Sequence, residues 1–201
     1  MATRQEDSFS APVRPVILAA GRSSRMGFPK ALAAVGGRPA LARILEMCRL
    51  ARLLPPRVVL GFHAEEIRKK IDLTEVEVCI NPDPERGQTS SLQVGLAQED
   101  PAVLLFPVDH AALRAETLPV LLAAWQGRPT QSNIALPSDG HRRGHPVVFD
   151  AAVIAEFRAL SPDQPAHQVI RADSTRVLHV PIDDPAAFRS LNHPQDLDSV
   201  Q

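Results

Sequence analysis

Short unbroken apolar runs alternate along this chain with longer stretches in which apolar residues return every three or four positions. The first run, Pro15-Val16-Ile17-Leu18-Ala19-Ala20, ends at Gly21 and predicts a strand buried on both faces. From Pro39 onward Leu41, Ile44, Leu45, Cys48 and Leu50 recur at helical spacing until Pro55-Pro56 stops the helix. Further strands are predicted at 57–62, 76–80 and 103–108, and helices at 64–71 and 90–98. On the first of those helices Glu65 and Glu66 precede Lys69 and Lys70 at the spacing of a solvated, ion-paired face. Downstream, 117–125 and 151–160 read as helices and 133–136 and 146–149 as strands, with further segments at 166–171 and 177–180.

Strands that alternate with helices predict an α/β domain of three layers, a mostly parallel Rossmann-like sheet covered on both faces, with ligands at the carboxyl ends of the strands. A length of 201 residues suits one core of that kind. Residues 1–14 mix charge with Ser, Ala and Pro and lack the apolar stretch of a secretory signal, so a flexible tail is expected there. No apolar run approaches the roughly 20 residues that span a bilayer. A net charge of -1 and the absence of Tyr argue against a nucleic-acid partner, which needs a basic footprint and stacking platforms. Cys48 and Cys79 show no metal spacing and read as core thiols of a cytoplasmic protein.

Candidate chemistry is concentrated directly after the first strand, in Leu18-Ala19-Ala20-Gly21-Arg22-Ser23-Ser24-Arg25-Met26-Gly27-Phe28-Pro29-Lys30. Gly21 and Gly27 let backbone amides approach an anion closely, and Arg25 and Lys30 add neutralising charge. The string has neither the Gly-Lys-Ser/Thr ending of a P-loop nor the glycine order of a dinucleotide fingerprint.

At this string the sequence resembles the MobA-like NTP transferase family. The resemblance continues through Gly87-Gln88-Thr89-Ser90-Ser91-Leu92, Gly95-Leu96, Pro107-Val108-Asp109, Gly144-His145-Pro146-Val147 and Pro194-Gln195-Asp196-Leu197. It implies a nucleotidyltransferase domain over 15–201, of the nucleotide-diphospho-sugar transferase type, that moves a nucleoside monophosphate from an NTP to a phosphorylated acceptor and releases pyrophosphate. The acceptor implied is molybdopterin, with a molybdoenzyme or its chaperone as receiving partner. Ala20 matches the Leu-Ala-Ala-Gly of members that attach CMP, which makes CTP the expected donor.

The same resemblance assigns Arg25, Lys30 and Asp109 to catalysis, and Leu18, Ala19, Ala20, Gly21, Arg22, Ser23, Gln88 and Ser91 to the nucleotide. Asp109 is implied as a Mg2+ ligand, with the amide oxygen of Asn192 as the second, and His145 as an acceptor contact. Mg2+ suits such a sparse set, because it keeps several waters and takes one or two protein oxygens beside substrate phosphates. Two residues depart from the family pattern: Ala111 stands where proline is usual and His193 where threonine is usual.

Two other readings share the loop. One is a sugar-phosphate or other small-molecule nucleotidyltransferase; the other is a nucleotide-binding chaperone or regulator that releases no pyrophosphate. A nucleotide-sugar glycosyltransferase is disfavoured, since Val108-Asp109-His110-Ala111 lacks the Asp-x-Asp such enzymes carry.

Overall fold

A computed structural model describes residues 12–198. Its elements run β1 (Arg14–Ala19), β2 (Ala34–Val35), β3 (Arg38–Pro39), α1 (Ala40–Leu50), β4 (Arg57–Leu60), α2 (Ala64–Lys70), β5 (Glu77–Ile80) and α3 (Gln88–Gly95). They continue with β6 (Ala102–Pro107), α4 (Thr117–Gln126), β7 (Ile134–Ser138), β8 (Val147–Asp150), α5 (Ala151–Ala159), α6 (His167–Ala172) and β9 (Val177–Pro181).

Seven strands form one sheet in the order β5-β4-β1-β6-β8-β7-β9. All pairings are parallel except those of β8, which runs against both β6 and β7. The direction of β8 follows from its connection: β7 and β8 are joined by a short turn over 139–146, and a turn of that length can only bring the chain back antiparallel. Because successive strand residues face opposite ways, β1 feeds two cores. Ile17 joins Leu41, Ile44, Phe106 and Trp125 on one face, while Val16 joins Leu92, Phe149, Phe157 and Val153 on the other. Helix, sheet and helix make the three layers expected.

Three details differ from the sequence reading. Val13 is buried and Arg14 opens β1, its guanidinium donating to Asp100 and to the Pro55 carbonyl, so the fold begins before Pro15. Residues 1–11 of the expected tail lie outside the described residues. Cys48 is a core thiol pushed up to about 12 by burial, but Cys79 lies on the edge strand β5 and is only half-buried. The small hairpin β2–β3 was not anticipated; Gly36 and Gly37, with φ of 55° and 74°, supply the left-handed pair that a two-residue hairpin turn requires.

Candidate functional site

The loop after β1 is closed by its own backbone. Ser23 adopts a left-handed φ of 54°, and its carbonyl accepts from Met26 N at 2.9 Å and Gly27 N at 3.2 Å. Its hydroxyl accepts from Lys30 N at 3.1 Å. Met26 is buried and anchors the turn in the core, leaving Gly21, Arg22, Ser24 and Arg25 exposed above it. They wall a cleft of ≈ 380 Å³ at the carboxyl ends of β1 and β6. Leu18, Ala19, Ala20, Gly21, Arg22, Ser23, Arg25, Lys30, Gln88, Ser91 and Asp109 all line it, so the structure brings together the loop, the start of α3 and the turn after β6.

Lys30 is the hub of the cleft. Its Nζ donates to Asn192 Oδ1 at 2.7 Å and stands 3.6 Å from Asp109 Oδ2. The Asp109 carbonyl accepts from Leu191 N at 2.8 Å, which fastens the segment bearing Asn192 beside the Asp109 turn. Asp196 then accepts from the amides of Asn192 and His193, both at 2.8 Å, and these bonds hold its carboxyl below the usual range. One cation thus already lies against a carboxylate oxygen and an amide oxygen. That donor set suits a hard divalent cation supported by substrate phosphates and water. It is too sparse to act alone: among the described residues no group of three or more His, Cys, Asp or Glu side chains could hold a metal.

The structure starts α3 two residues before the predicted residue 90 and ends it at Gly95. The helix opens at Gln88 after Gly87, whose φ is 100°, and no serine caps it. Ser90 and Ser91 instead lie inside the first turn and donate their hydroxyls back to the Gly87 carbonyl, at 3.0 and 3.3 Å. The first helical N–H groups have no acceptor within the helix and remain available to a ligand. Asn81, not singled out in the sequence, organises this corner: it is buried, donates to both serine hydroxyls and accepts from Asp83 N. Its signals in the sequence are its place just after the strand predicted at 76–80, before Pro82, and at the head of the polar turn that runs to Gln88. Gly61 was also missed; a Cβ there would lie 2.6 Å from the Ala20 carbonyl oxygen and 2.9 Å from Pro84 Cβ, so only glycine lets the end of β4 approach the loop.

Arg22 is engaged across the cleft mouth, paired with Glu85 and held 4.4 Å over the Phe62 ring. Arg25 remains exposed on the loop.

His145, expected at the acceptor, does not line the cleft. Its ring lies 4.8 Å from that of His110, and its Nδ1 is shielded without a hydrogen-bond partner. Burial, and then the neighbouring His110, push its pKa down to about 3. A neutral, enclosed ring gives no charge to a phosphate, and the ring stands apart from the loop-lined cleft. A pH dependence follows. The unfolded imidazole takes a proton near pH 6.5, whereas the folded ring does not until about pH 3, so between those values the unfolded state binds more protons. Stability therefore falls on acidification through that window, by about 1.4 kcal/mol per pH unit for one ring. Melting temperatures from pH 7.5 to 5 should show this slope in the parent and a flatter one in His145→Phe; equal slopes would remove His145 as the cause.

A parallel-rich three-layer sheet with a cation-bearing glycine loop after its first strand, facing a lone carboxylate beyond β6, defines an α/β protein built to hold phosphates. The chain belongs to the MobA-like NTP transferase domain family, whose model matches residues 15–177. A Rhodopirellula baltica protein described as a probable molybdenum cofactor guanylyltransferase is 30% identical over 203 residues, covering 92% of this chain and 90% of that protein. A Paenarthrobacter nicotinovorans protein described as a nicotine blue oxidoreductase is 30% identical over 147 residues, covering 70% and 72%. A crystal structure from Mycobacterium tuberculosis H37Rv shares the fold with a TM-score of 0.80 at 22% identity, over 94% of this chain and 97% of that one. No helix among the described residues is long and apolar enough to cross a membrane.

Proposed function

We propose that this chain is a cytoplasmic, Mg2+-dependent nucleotidyltransferase that moves CMP from CTP to the phosphate of molybdopterin, releasing pyrophosphate. The observation that carries the reading is the meeting of Lys30 and Asp109 in the loop-lined cleft, with Asn192, just outside its lining, accepting from the Lys30 ammonium. An acceptor phosphate oxygen attacks the α-phosphorus, a new P–O bond forms, and the bond to the β-phosphate bridging oxygen breaks to release pyrophosphate. A phosphate monoester is already anionic near neutral pH, so the step needs no general base. The loop amides, Arg25 and Lys30 orient the triphosphate and offset its charge in the cleft. Gln88 and Ser91 line the cleft at the open start of α3 and would meet the base and ribose. Asp109 and Asn192 would hold Mg2+, which supplies positive charge against the phosphate oxygens.

Ala20 favours CTP as the donor. The name of the Rhodopirellula relative favours a second reading, GTP on the same scaffold. Melting temperatures with Mg2+ and each of CTP, GTP, UTP, ATP and TTP separate them. Ligand at about a hundred times its dissociation constant adds roughly 2.7 kcal/mol to the folded state, a shift of about 5–10 °C for a domain of this size. A shift selective for CTP supports the first reading and one selective for GTP the second; no shift with any nucleotide at millimolar concentration overturns both. Turnover is then read as pyrophosphate release with molybdopterin present. A nucleotide-binding regulator, or an oxidoreductase such as the Paenarthrobacter name describes, would release none.

A further inference from the structure

The role of His110 is not explained by the reaction just described. It follows Asp109 in the short turn Val108–His110 but points the other way, into the protein, where it is 5% exposed. There it meets the segment that leads from β9 to Asn192. Its Nδ1 lies 3.4 Å from the Ala186 carbonyl oxygen and its Nε2 lies 3.2 Å from Ser190 Oγ. A carbonyl only accepts, so Nδ1 carries the proton; the neutral ring then presents Nε2 as an acceptor for the serine hydroxyl. One ring thereby ties down both ends of residues 186–190.

The next two residues are the functional ones. Leu191 N donates to the Asp109 carbonyl at 2.8 Å, and Asn192 Oδ1 accepts from Lys30 Nζ at 2.7 Å. The opposite side of the same segment is clasped by the chain before β8. His145 N donates to the Ala187 carbonyl at 2.9 Å, the His145 ring packs on His110, and a Cβ at Gly144 would come within 2.5 Å of the Ala187 oxygen. Residues 186–191 are therefore held between the Asp109 turn and Gly144-His145, and His110 is the side chain that joins the two sides.

We infer that His110 is a positioning residue: it fixes residues 186–191 against the Asp109 turn and so sets where the amide oxygen of Asn192 stands relative to Lys30 and Asp109. The inference rests on the nucleotidyltransferase reading for its effect on rate, and on the geometry alone for its effect on the segment. A displacement of about 1 Å at a site of this kind can cost on the order of a hundredfold in rate. The nucleotide itself is gripped by the loop after β1 and the start of α3, neither of which contacts His110 through a hydrogen bond that the structure shows, so its affinity should be spared.

The decisive variant is His110→Phe, which keeps a ring against His145 and removes both nitrogens. Its expected behaviour is a fall in kcat of about 30- to 100-fold with the dissociation constant for CTP or GTP within about twofold of the parent. Hydrogen exchange at the amides of Leu191 and Asn192 should speed up by about tenfold while the amides of β1 and β6 stay protected. His110→Asn, able to donate to Ala186 but too short to reach Ser190, and Ser190→Ala should both fall in between. These two variants also serve if the phenylalanine protein does not fold. Unchanged exchange at Leu191 and Asn192 in the folded variants overturns the inference whatever the activity, as does full kcat in His110→Phe when the parent turns over. If the parent releases no pyrophosphate from any NTP, the nucleotidyltransferase reading fails instead, and the exchange rates alone decide whether His110 fixes the segment.

Discussion

Lys30→Ala should lower the rate of pyrophosphate release by about 10²- to 10³-fold at saturating NTP, the loss expected when one preorganised charge donor leaves a phosphate-transfer site. Folding should survive. The ammonium stands 3.6 Å from Asp109 Oδ2, with the two side chains 18% and 24% exposed, so the pair is partly open to solvent and contributes at most about 1 kcal/mol. A loss of that size moves the melting temperature by about 2–4 °C in a domain of this length. A second expected result has the opposite sign: Mg2+ titrated without nucleotide should bind Lys30→Ala more tightly than the parent, because the ammonium no longer competes for the oxygens of Asp109 and Asn192. An unchanged turnover rate would remove Lys30 from the chemistry. Weaker metal binding would move the metal away from this pair of oxygens.

The elements that build this cleft were legible where one local pattern decides them. β6, and β1 from Pro15 onward, are continuous apolar runs buried on both faces of the sheet, and runs this short are strands rather than helices. The loop between β1 and Lys30 was legible because glycines, hydroxyls and cations follow a buried strand with nothing between them. The start of α3 is two residues earlier than the predicted 90 for an equally local reason. Ser90 and Ser91 look like caps, yet the left-handed Gly87 three residues earlier already turns the chain into the helix, and the hydroxyls bond inward.

What stayed hidden depends on contacts between distant segments. The placement of β8 between β6 and β7 cannot be read from its apolar residues, which suit either strand direction. Asn81 and Gly61 act through Ser90, Ser91, Ala20 and Pro84, none of which is a near neighbour in the chain. Ala20 shows both sides of this. Its motif identifies the loop, but the fold also packs its methyl 3.0 Å from where a Cβ on Gly61 would stand, so the end of β4 closes against the loop only with glycine there. His145 is the sharpest case: burial, and then the ring of His110 packed against it, keep it neutral, and neither can be read from the residues that flank it in the chain.

Gly95→Val should cost about 3 kcal/mol and lower the melting temperature by about 6–12 °C, near the upper end of what overpacking a core does. The last residue of α3 rests on the centre of the sheet, where a Cβ would stand 2.5 Å from Val16 Cγ1 and 2.8 Å from Val59 Cγ2. Both valines are fully buried in β1 and β4, and their branched side chains have little rotamer freedom with which to give way. The strain is relieved by lifting α3, and the helix is too short to bend without moving its other end, where Gln88 and Ser91 face the cleft. NTP affinity should therefore fall together with stability, although Gly95 itself touches no nucleotide position. Gly127→Ala is the matched control. There the nearest neighbour of an added Cβ is the Ala123 carbonyl oxygen at 3.7 Å, and φ is -86°, so the change should stay within about 1 kcal/mol, with either no loss or a small gain from the stiffer unfolded chain. Equal melting temperatures for the two variants would mean that α3 does not press on Val16 and Val59. A destabilised Gly95→Val with full NTP affinity would mean that the start of α3 is held in place by Asn81 and Gly87 independently of where the helix ends.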